Sequence, residues 1–241
     1  MTRKRRERGA APVRWLSVLV LGFVAGAGTV MLADPGTSTK RLVLSADTSA
    51  AGHTHTESDI TYDKLPKATK ADVDQVIAQW ATKYATAADA AEDGWFLGSR
   101  SLYGIGAHYV KEVRGLSVAT PFDLPNPPVL LFDGDGPDAK FAGVSYIVAE
   151  SSPEGFTGNY DSWHFHPSVC SRGGSIVSLS EEGSEVWYSE SECVAAGGQV
   201  RPLVADNMMH LWIGPEYIDS APIFAHDHPK LFDGYNPKRD G

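Results

Sequence analysis

The chain has 241 residues and a formal net charge of −9 at pH 7. Residues 1–14 carry a charge of +5, so the rest of the chain carries −14. An acidic body repels the phosphates of nucleic acid and the headgroups of anionic lipid, which argues against both as partners bound by charge. The acidic part of the chain attracts metal cations, which are therefore compatible partners. The composition also allows a small-molecule ligand.

A basic segment followed by an apolar segment opens the chain. Residues 1–14 contain six basic side chains, and an apolar run extends from Trp15 to Ala33. This order, with about 19 apolar residues, is typical of a membrane anchor or an export signal. Ala25-Gly26-Ala27 has the small-residue pattern of a cleavage site, but the apolar run continues beyond it.

The positive-inside rule assigns the topology of these segments. It predicts a cytoplasmic tail at 1–14, a transmembrane anchor or signal peptide at 15–33, and an extracytoplasmic remainder. The protein is then a single-pass protein of the cell membrane, held there through its N-terminal helix. If the signal is cleaved, the protein is secreted.

A polar segment and a helical segment follow. Residues 34–66 are rich in Ser, Thr, Asp and Ala and are typical of a flexible linker. His53 and His55 lie in this linker and are interpreted as solvated. From about Ala68 to Asp93, apolar side chains at spacings of three and four predict one amphipathic helix, with Gly94 as its C-terminal cap.

Short strands are predicted after Gly94. They cover Ile105–Val113, Val129–Phe132, Phe141–Ala149, Asp161–His166, Ser175–Leu179 and Met208–Ile213. The segment Asp133–Asp138 predicts a turn, since it lacks the later ligands of a calcium-binding loop. We expect an α+β domain at 67–241, with one helix followed by a mostly antiparallel β-sheet or barrel.

Cys170 and Cys193 are the two cysteines of the chain. Outside the cytoplasm a lone pair of cysteines usually forms a disulfide, which would here close a loop of about two dozen residues. The alternative is a thiolate metal ligand, because Cys170 lies four residues after His166.

The histidines carry the most direct chemical signal. Five of the eight lie between His164 and His228, and four of these form two H-x-H-P segments. In an extended strand the side chains at i and i+2 share a face, so both imidazoles of a pair can reach one ion. Imidazole suits Zn, Cu, Ni and Fe, and the spacing predicts a transition-metal site, with Zn or Cu favoured.

The candidate ligands in the strands differ in their setting. His164 and His166 share one face of their predicted strand, while Trp163 and Phe165 lie on the other face and are expected to pack into the core. His210 lies in a strand whose two faces both look buried. It is therefore either a ligand or a hydrogen-bonded core histidine.

The remaining candidates are expected near loops. His226 and His228 lie between Pro222 and Pro229, which favours a loop or an edge strand, and Asp227 between them is either a ligand or the acceptor of a histidine N–H. His108 has the weakest local case. Two glycines before it, at positions 104 and 106, would let a backbone or a ligand approach closely.

The segment from Gly158 to His166 resembles the opening of the cupin metal motif, with Gly158 six residues before His164. This resemblance implies a small double-stranded β-barrel, a Fe, Mn, Ni or Zn ion, and an enzymatic or small-molecule-binding role. Cys170 or Ser171 stands where cupins have a glutamate, and the second cupin motif is not found.

A broader resemblance, from about Ala71 to Pro229, is to a group of exported bacterial proteins of unknown function. The blocks that carry it are Ala90–Gly94, Gly106–Val110, Pro128–Phe132, His164-x-His166-x3-Cys170, His210–Trp212 and Phe224–His226. This resemblance implies that the blocks belong to one domain, and it carries no assigned activity.

The sequence thus predicts an extracytoplasmic domain that binds Zn or Cu through His164, His166 and one or more of the other four histidines. An enzyme would need an open coordination position beside an apolar pocket, for which Trp163, Trp212 and Tyr109 are the candidates. Motifs for a serine nucleophile elbow, a zinc protease helix or a phosphate loop are absent from the sequence. An exported domain that holds no metal is the remaining alternative.

Overall fold

The computed structural model describes residues 59–112, 119–149, 155–173, 175–179, 189–202 and 207–240. The predicted cytoplasmic tail, the predicted anchor and most of the predicted linker, with His53 and His55, lie outside the described residues. Within the described ranges, no helix is both long enough and apolar enough to cross a membrane.

Short helices flank the strands of this α+β domain. The α-helices are α1 (Lys67–Trp80), α2 (Ala87–Glu92), α3 (Glu190–Ala195) and α4 (Pro237–Asp240), and 3-10 turns cover Tyr62–Lys64 and Pro229–Leu231. The end of the predicted linker belongs to the folded domain. Leu65 is buried in the core, and the carbonyl of Ile60 accepts a 3.0 Å hydrogen bond from the N–H of Ile223.

The single helix predicted from Ala68 to Asp93 is in fact two helices, α1 and α2. A capping box starts the second helix, because the side chains of Thr86 and Asp89 each accept a hydrogen bond from the other's backbone N–H. The N–H of Ala87 also donates to the carbonyl of Ala139, at 2.8 Å. Contact with the sheet therefore interrupts the helix, although the apolar spacing runs through the break.

Gly94 ends α2, as predicted. Its φ is +87°, a left-handed conformation that glycine adopts without a Cβ penalty. The N–H groups of Gly94 and Trp95 donate to the carbonyls of Ala91 and Ala90, which completes the usual C-terminal hydrogen-bond pair.

Nine strands form one curled sheet in the described residues. They are β1 (Phe96–Leu102), β2 (Gly106–Val110), β3 (Val129–Phe132), β4 (Phe141–Val148), β5 (His164–Phe165), β6 (Ser168–Arg172), β7 (Ser175–Leu179), β8 (Gln199–Pro202) and β9 (Asn207–Leu211). Their order is β5-β9-β4-β3-β2-β1-β7-β6-β8. Neighbours are antiparallel, except that β1 and β7 are parallel.

The predicted strands are all present. Val129–Phe132 and Ser175–Leu179 have their predicted limits, the other strands have shifted ends, and the predicted strand Asp161–His166 contains only two residues in ladder pairing. The unpredicted strands are β1, β6 and β8. Their sequences, FLGSRSL, SVCSR and QVRP, contain few β-branched or aromatic residues, so propensity does not reveal them. Pairing with neighbouring strands stabilises them instead.

The turn predicted at Asp133–Asp138 joins β3 to β4. The carboxylate of Asp133 accepts hydrogen bonds from the N–H of Lys140 at 2.7 Å and from the hydroxyl of Tyr217 at 2.9 Å. This carboxylate therefore stabilises the turn, as the interpretation without calcium expects.

The two faces of the sheet differ. The first face packs against α1 and α2, and its core includes Val73, Val76, Leu130, Tyr146 and Met209. The second face, which we call the histidine face, carries His108, His210 and the apolar side chains that alternate with those of the first face. Its apolar residues include Val129, Leu131, Ile147 and Trp212, which pack against Ala225 and Leu231 of the C-terminal segment.

A disulfide between Cys170 and Cys193 joins β6 to α3. The predicted disulfide is therefore confirmed, and the alternative of a Cys170 thiolate ligand is wrong, because the sulfur is already bonded. Gly198 packs on this bond, since a Cβ at that position would lie 2.6 Å from Sγ of Cys170.

Candidate metal centre

Three histidines that are far apart in the sequence meet at one point. His164 lies on β5, His166 directly follows β5, and His226 lies in the loop before the second 3-10 turn. One ring nitrogen of each lies within 4.8 Å of the other two. His164 and His166 are 5% and 1% exposed, and the side chain of His226 is 13% exposed. The three side chains could together hold a metal ion.

The i, i+2 spacing brings His164 and His166 together as predicted. Their ring centroids are 4.9 Å apart, although the ladder pairing of β5 ends at Phe165. The expectation that both intervening aromatic residues pack into the core holds for Trp163 and is wrong for Phe165, which is 41% exposed.

Asp227 lies beside the loop histidine. Nδ1 of His226 is 2.9 Å from Oδ1 of Asp227, which leaves Nε2 as the nitrogen that would face a metal. Gly104 makes this arrangement possible, because its φ is +78° and a Cβ at this position would lie 2.8 Å from Oδ1 of Asp227. The group that approaches this glycine closely is therefore the Asp227 side chain, where a backbone or a ligand was predicted.

His210 lies next to the three-histidine group, at the centre of β9. Its ring centroid is 5.1 Å from that of His164 and 5.6 Å from that of His226. Nδ1 donates a 2.7 Å hydrogen bond to the backbone carbonyl of His226. Nε2 is buried and has no hydrogen-bond partner among the described residues. Burial, and then the neighbouring histidines His108 and His226, lower the pKa of His210 well below its usual value.

His108 extends the cluster away from the loop. Its ring centroid is 5.5 Å from that of His210. In a flat sheet the strands β2 and β9 would be about 14 Å apart, with two strands between them. The curl of the sheet, which makes the histidine face concave, brings the two rings together. Burial lowers the pKa of His108 to about 4, and a hydrogen bond with the backbone at Gly106 opposes that shift in part.

His228 is not brought into this cluster, although it is two residues from His226. Its Nδ1 accepts a 3.2 Å hydrogen bond from the N–H of Lys230, and its Nε2 donates to the carbonyl of Tyr217 at 3.2 Å. The ring packs between Trp212 and Tyr217. The chain is not an extended strand here, so the two side chains diverge. Burial lowers the pKa of His228.

The three aromatic residues that were candidates for lining a pocket beside the metal lie on different faces of the sheet. The ring of Trp212 is 5.3 Å from that of His210, whereas Tyr109 and Trp163 belong to the core on the first face. A groove of about 540 Å³ lies elsewhere, among Trp80, Trp95 and several prolines, and none of the candidate histidines lines it.

Ser145 is a neighbour of the cluster that the sequence did not indicate. It pairs directly with His210 across β4 and β9, and it is fully buried. Its Oγ has no hydrogen-bond partner among the described residues. The alternation of β4 places Ser145 on one face with Ile147, but only the register between the strands puts it beside His210.

Comparison of the chain with protein-family models, with curated proteins and with solved structures found no match. The position where the cupin resemblance calls for a glutamate ligand holds Cys170, which is in the disulfide, or Ser171. The geometry of the histidines therefore carries the functional argument.

Proposed function

We propose that the domain binds one transition-metal ion, Zn²⁺ or a copper ion, through His164, His166 and His226. The convergence of their ring nitrogens, within 4.8 Å of one another, is the observation that carries this proposal. Metal–nitrogen bonds to imidazole are about 2.0 Å long, so the three ring nitrogens would have to move closer together to bind one ion. Small rotations of the side chains are sufficient for this movement.

The setting of the histidines supports the same function. A metal ligand must be a neutral imidazole, because the proton of an imidazolium competes with the ion. Burial favours the neutral form of His108 and His210, whose pKa values it lowers. These two neighbours of the three-histidine group therefore carry no proton charge that would repel a bound cation.

Asp227 supplies the outer contact that metal-binding histidines usually have. A carboxylate at Nδ1 holds the ring in one tautomer and makes Nε2 a better electron donor. Its negative charge also compensates part of the charge of a divalent ion. Nδ1 of His226 and Oδ1 of Asp227 are 2.9 Å apart, an ion-pair contact that becomes this hydrogen bond once the two side chains align.

We further propose that the ion is bound outside the cytoplasm. The basic and apolar N-terminal segments predict export, and the disulfide between Cys170 and Cys193 is typical of an oxidising compartment. In that compartment the cytosolic thiol pool does not compete for the ion.

Elemental analysis of the full-length chain without a histidine tag tests the proposed function. After exposure to Zn²⁺ or Cu²⁺ and dialysis, we expect about one ion per chain, released on acidification as the imidazoles take up protons. The double variant H164Q/H166Q should lose the ion, while H228Q should keep it. Less than about 0.1 ion per wild-type chain under both conditions would mean that the domain is not a metal-binding domain.

A further inference from the structure

His210 has the hydrogen-bonding pattern of a metal ligand. Its Nδ1 carries the proton, because the partner of that nitrogen is a carbonyl oxygen, 2.7 Å away. Nε2 is then a lone-pair acceptor, and it is buried without a partner among the described residues. A buried acceptor without a partner destabilises the fold, so an electron-pair acceptor at this point would stabilise it.

The outer contact of His210 comes from the candidate site itself. The carbonyl that accepts from Nδ1 belongs to His226, whose own ring is part of the three-histidine group. The position of His226 therefore fixes the orientation of the His210 ring. Carbonyl and carboxylate partners of this kind are those that orient metal-binding histidines.

Five of the spacings among the four rings are close to those around one tetrahedral ion, and the ring nitrogens of His164, His166 and His226 already lie within 4.8 Å of one another. Metal–nitrogen bonds of about 2.0 Å and tetrahedral angles place neighbouring ring centroids about 5 Å apart. The centroids of His164, His166 and His226 are 4.9, 4.3 and 5.9 Å apart. The centroid of His210 is 5.1 and 5.6 Å from those of His164 and His226.

We infer that His210 is the fourth ligand, so that four histidines close a tetrahedral coordination sphere with no position open to solvent or substrate. This inference rests on the proposed function and deepens it. A closed sphere is the pattern of structural and binding sites, whereas catalytic zinc sites keep an open position. The domain then holds its ion without turning over a substrate.

Cobalt(II) is a suitable probe, because it takes the place of Zn²⁺ and its visible absorption reports coordination number and ligand exchange. The full-length chain is loaded with Co²⁺ and titrated with azide, which enters an open position. H210A is compared with H108A, a matched control that removes the same ring from the adjacent buried position.

We expect the intense visible bands of four-coordinate Co²⁺ in the wild type, unchanged by azide. In H210A the bands should change on azide addition, and free imidazole should restore the wild-type spectrum. The Co²⁺ affinity of H210A should be lower than that of the wild type by more than about 10-fold. Loss of an outer contact alone costs at least that much, and loss of a ligand should cost more. The Co²⁺ affinity of H108A should remain close to that of the wild type.

The outcomes separate this inference from the proposed function. Azide-sensitive bands in the wild type would overturn the closed sphere and leave a three-histidine site with an open position. No Co²⁺ or Zn²⁺ binding by the wild type would overturn both. The azide titration of the wild type decides the inference even if H210A does not fold.

Discussion

Nδ1 of His210 donates a 2.7 Å hydrogen bond to the backbone carbonyl of His226, which ties the centre of β9 to the C-terminal loop. The loop thus contributes both a ring to the cluster and the acceptor that orients a second ring. Because the cluster joins an edge strand, a central strand and a loop, metal binding and the stability of the fold are expected to be coupled.

Replacing Asp227 with Asn should weaken metal binding by about 10- to 100-fold, because the outer carboxylate of His226 loses its charge while its shape is kept. The number of ions per chain at saturation should not change. Competition titration with a chromophoric chelator measures the affinity. D138N, which changes an exposed carboxylate, is the control. If D227N and D138N bound the metal with equal affinity, Asp227 would have no role in metal binding.

The substitution Gly104→Ala should reduce metal affinity through Asp227. The added Cβ meets the Asp227 carboxylate, and the left-handed φ of +78° costs about 1–2 kcal/mol for alanine. G94A has a similar positive φ, with nothing within 4 Å of the added Cβ. Both variants should therefore lose stability, measured by denaturant unfolding, but only G104A should lose affinity. A similar affinity loss in G94A would point to a general effect of stability.

His228→Gln should keep the full amount of metal and lower stability by about 1–3 kcal/mol, because the buried carbonyl of Tyr217 and the N–H of Lys230 lose a hydrogen bond. H226Q should show the reverse pattern, with loss of the ion as the main effect. Elemental analysis and denaturant unfolding of the two variants provide the comparison. Loss of the ion in H228Q would place His228 among the ligands.

The metal-free protein should lose stability as the pH is lowered, because His108 is buried in its neutral form. Its pKa is about 4 in the folded state and near 6.5 in the unfolded state, so the unfolded chain takes up the proton first as the pH falls. Between pH 6.5 and 4 this residue should cost about 1.4 kcal/mol per pH unit, or about 3 kcal/mol in all. Unfolding in the presence of a chelator should show a shallower pH dependence for H108Q. Parallel pH curves for the two proteins would contradict the assigned pKa.

Removal of the disulfide with the double variant C170S/C193S should lower the free energy of unfolding by roughly 3 kcal/mol, because the unfolded chain loses a constraint between residues 23 positions apart. The metal content should stay at the wild-type level, since neither sulfur is a candidate ligand. Reduction of the wild type provides an independent check on the same difference. A drop in metal content at unchanged folding would reopen Cys170 as a ligand.

Periodicity in the sequence predicted much of the sheet. The strands at 129–132 and 175–179 are confirmed at their predicted limits, and the alternation in Met208–Ile213 correctly separates His210 and Trp212 from Met209 and Leu211. The helical pattern was correct in type but not in length, because the capping box at Thr86 and pairing with the sheet interrupt it. Local pattern therefore predicted element type well and element limits less well.

The candidate site was predicted only in its parts. The i, i+2 spacing correctly put His164 and His166 on one side, since that depends on the geometry of extended chain alone. The same spacing misled at His226 and His228, because the chain there enters a 3-10 turn. The neighbour Ser145 carried no signal in the sequence, since its place beside His210 depends on the register between two strands.

The sequence by itself determined which residue types are present, how they alternate along each strand, and that the two cysteines form the available disulfide pair. Only the tertiary structure decided which histidines meet. Strand register places His210 beside Ser145, the curl of the sheet brings His108 to His210, and the C-terminal loop carries His226 to His164. The physical reason is that periodicity is a property of neighbours along the chain, whereas convergence depends on strand order and curvature, which the packing of the whole domain sets.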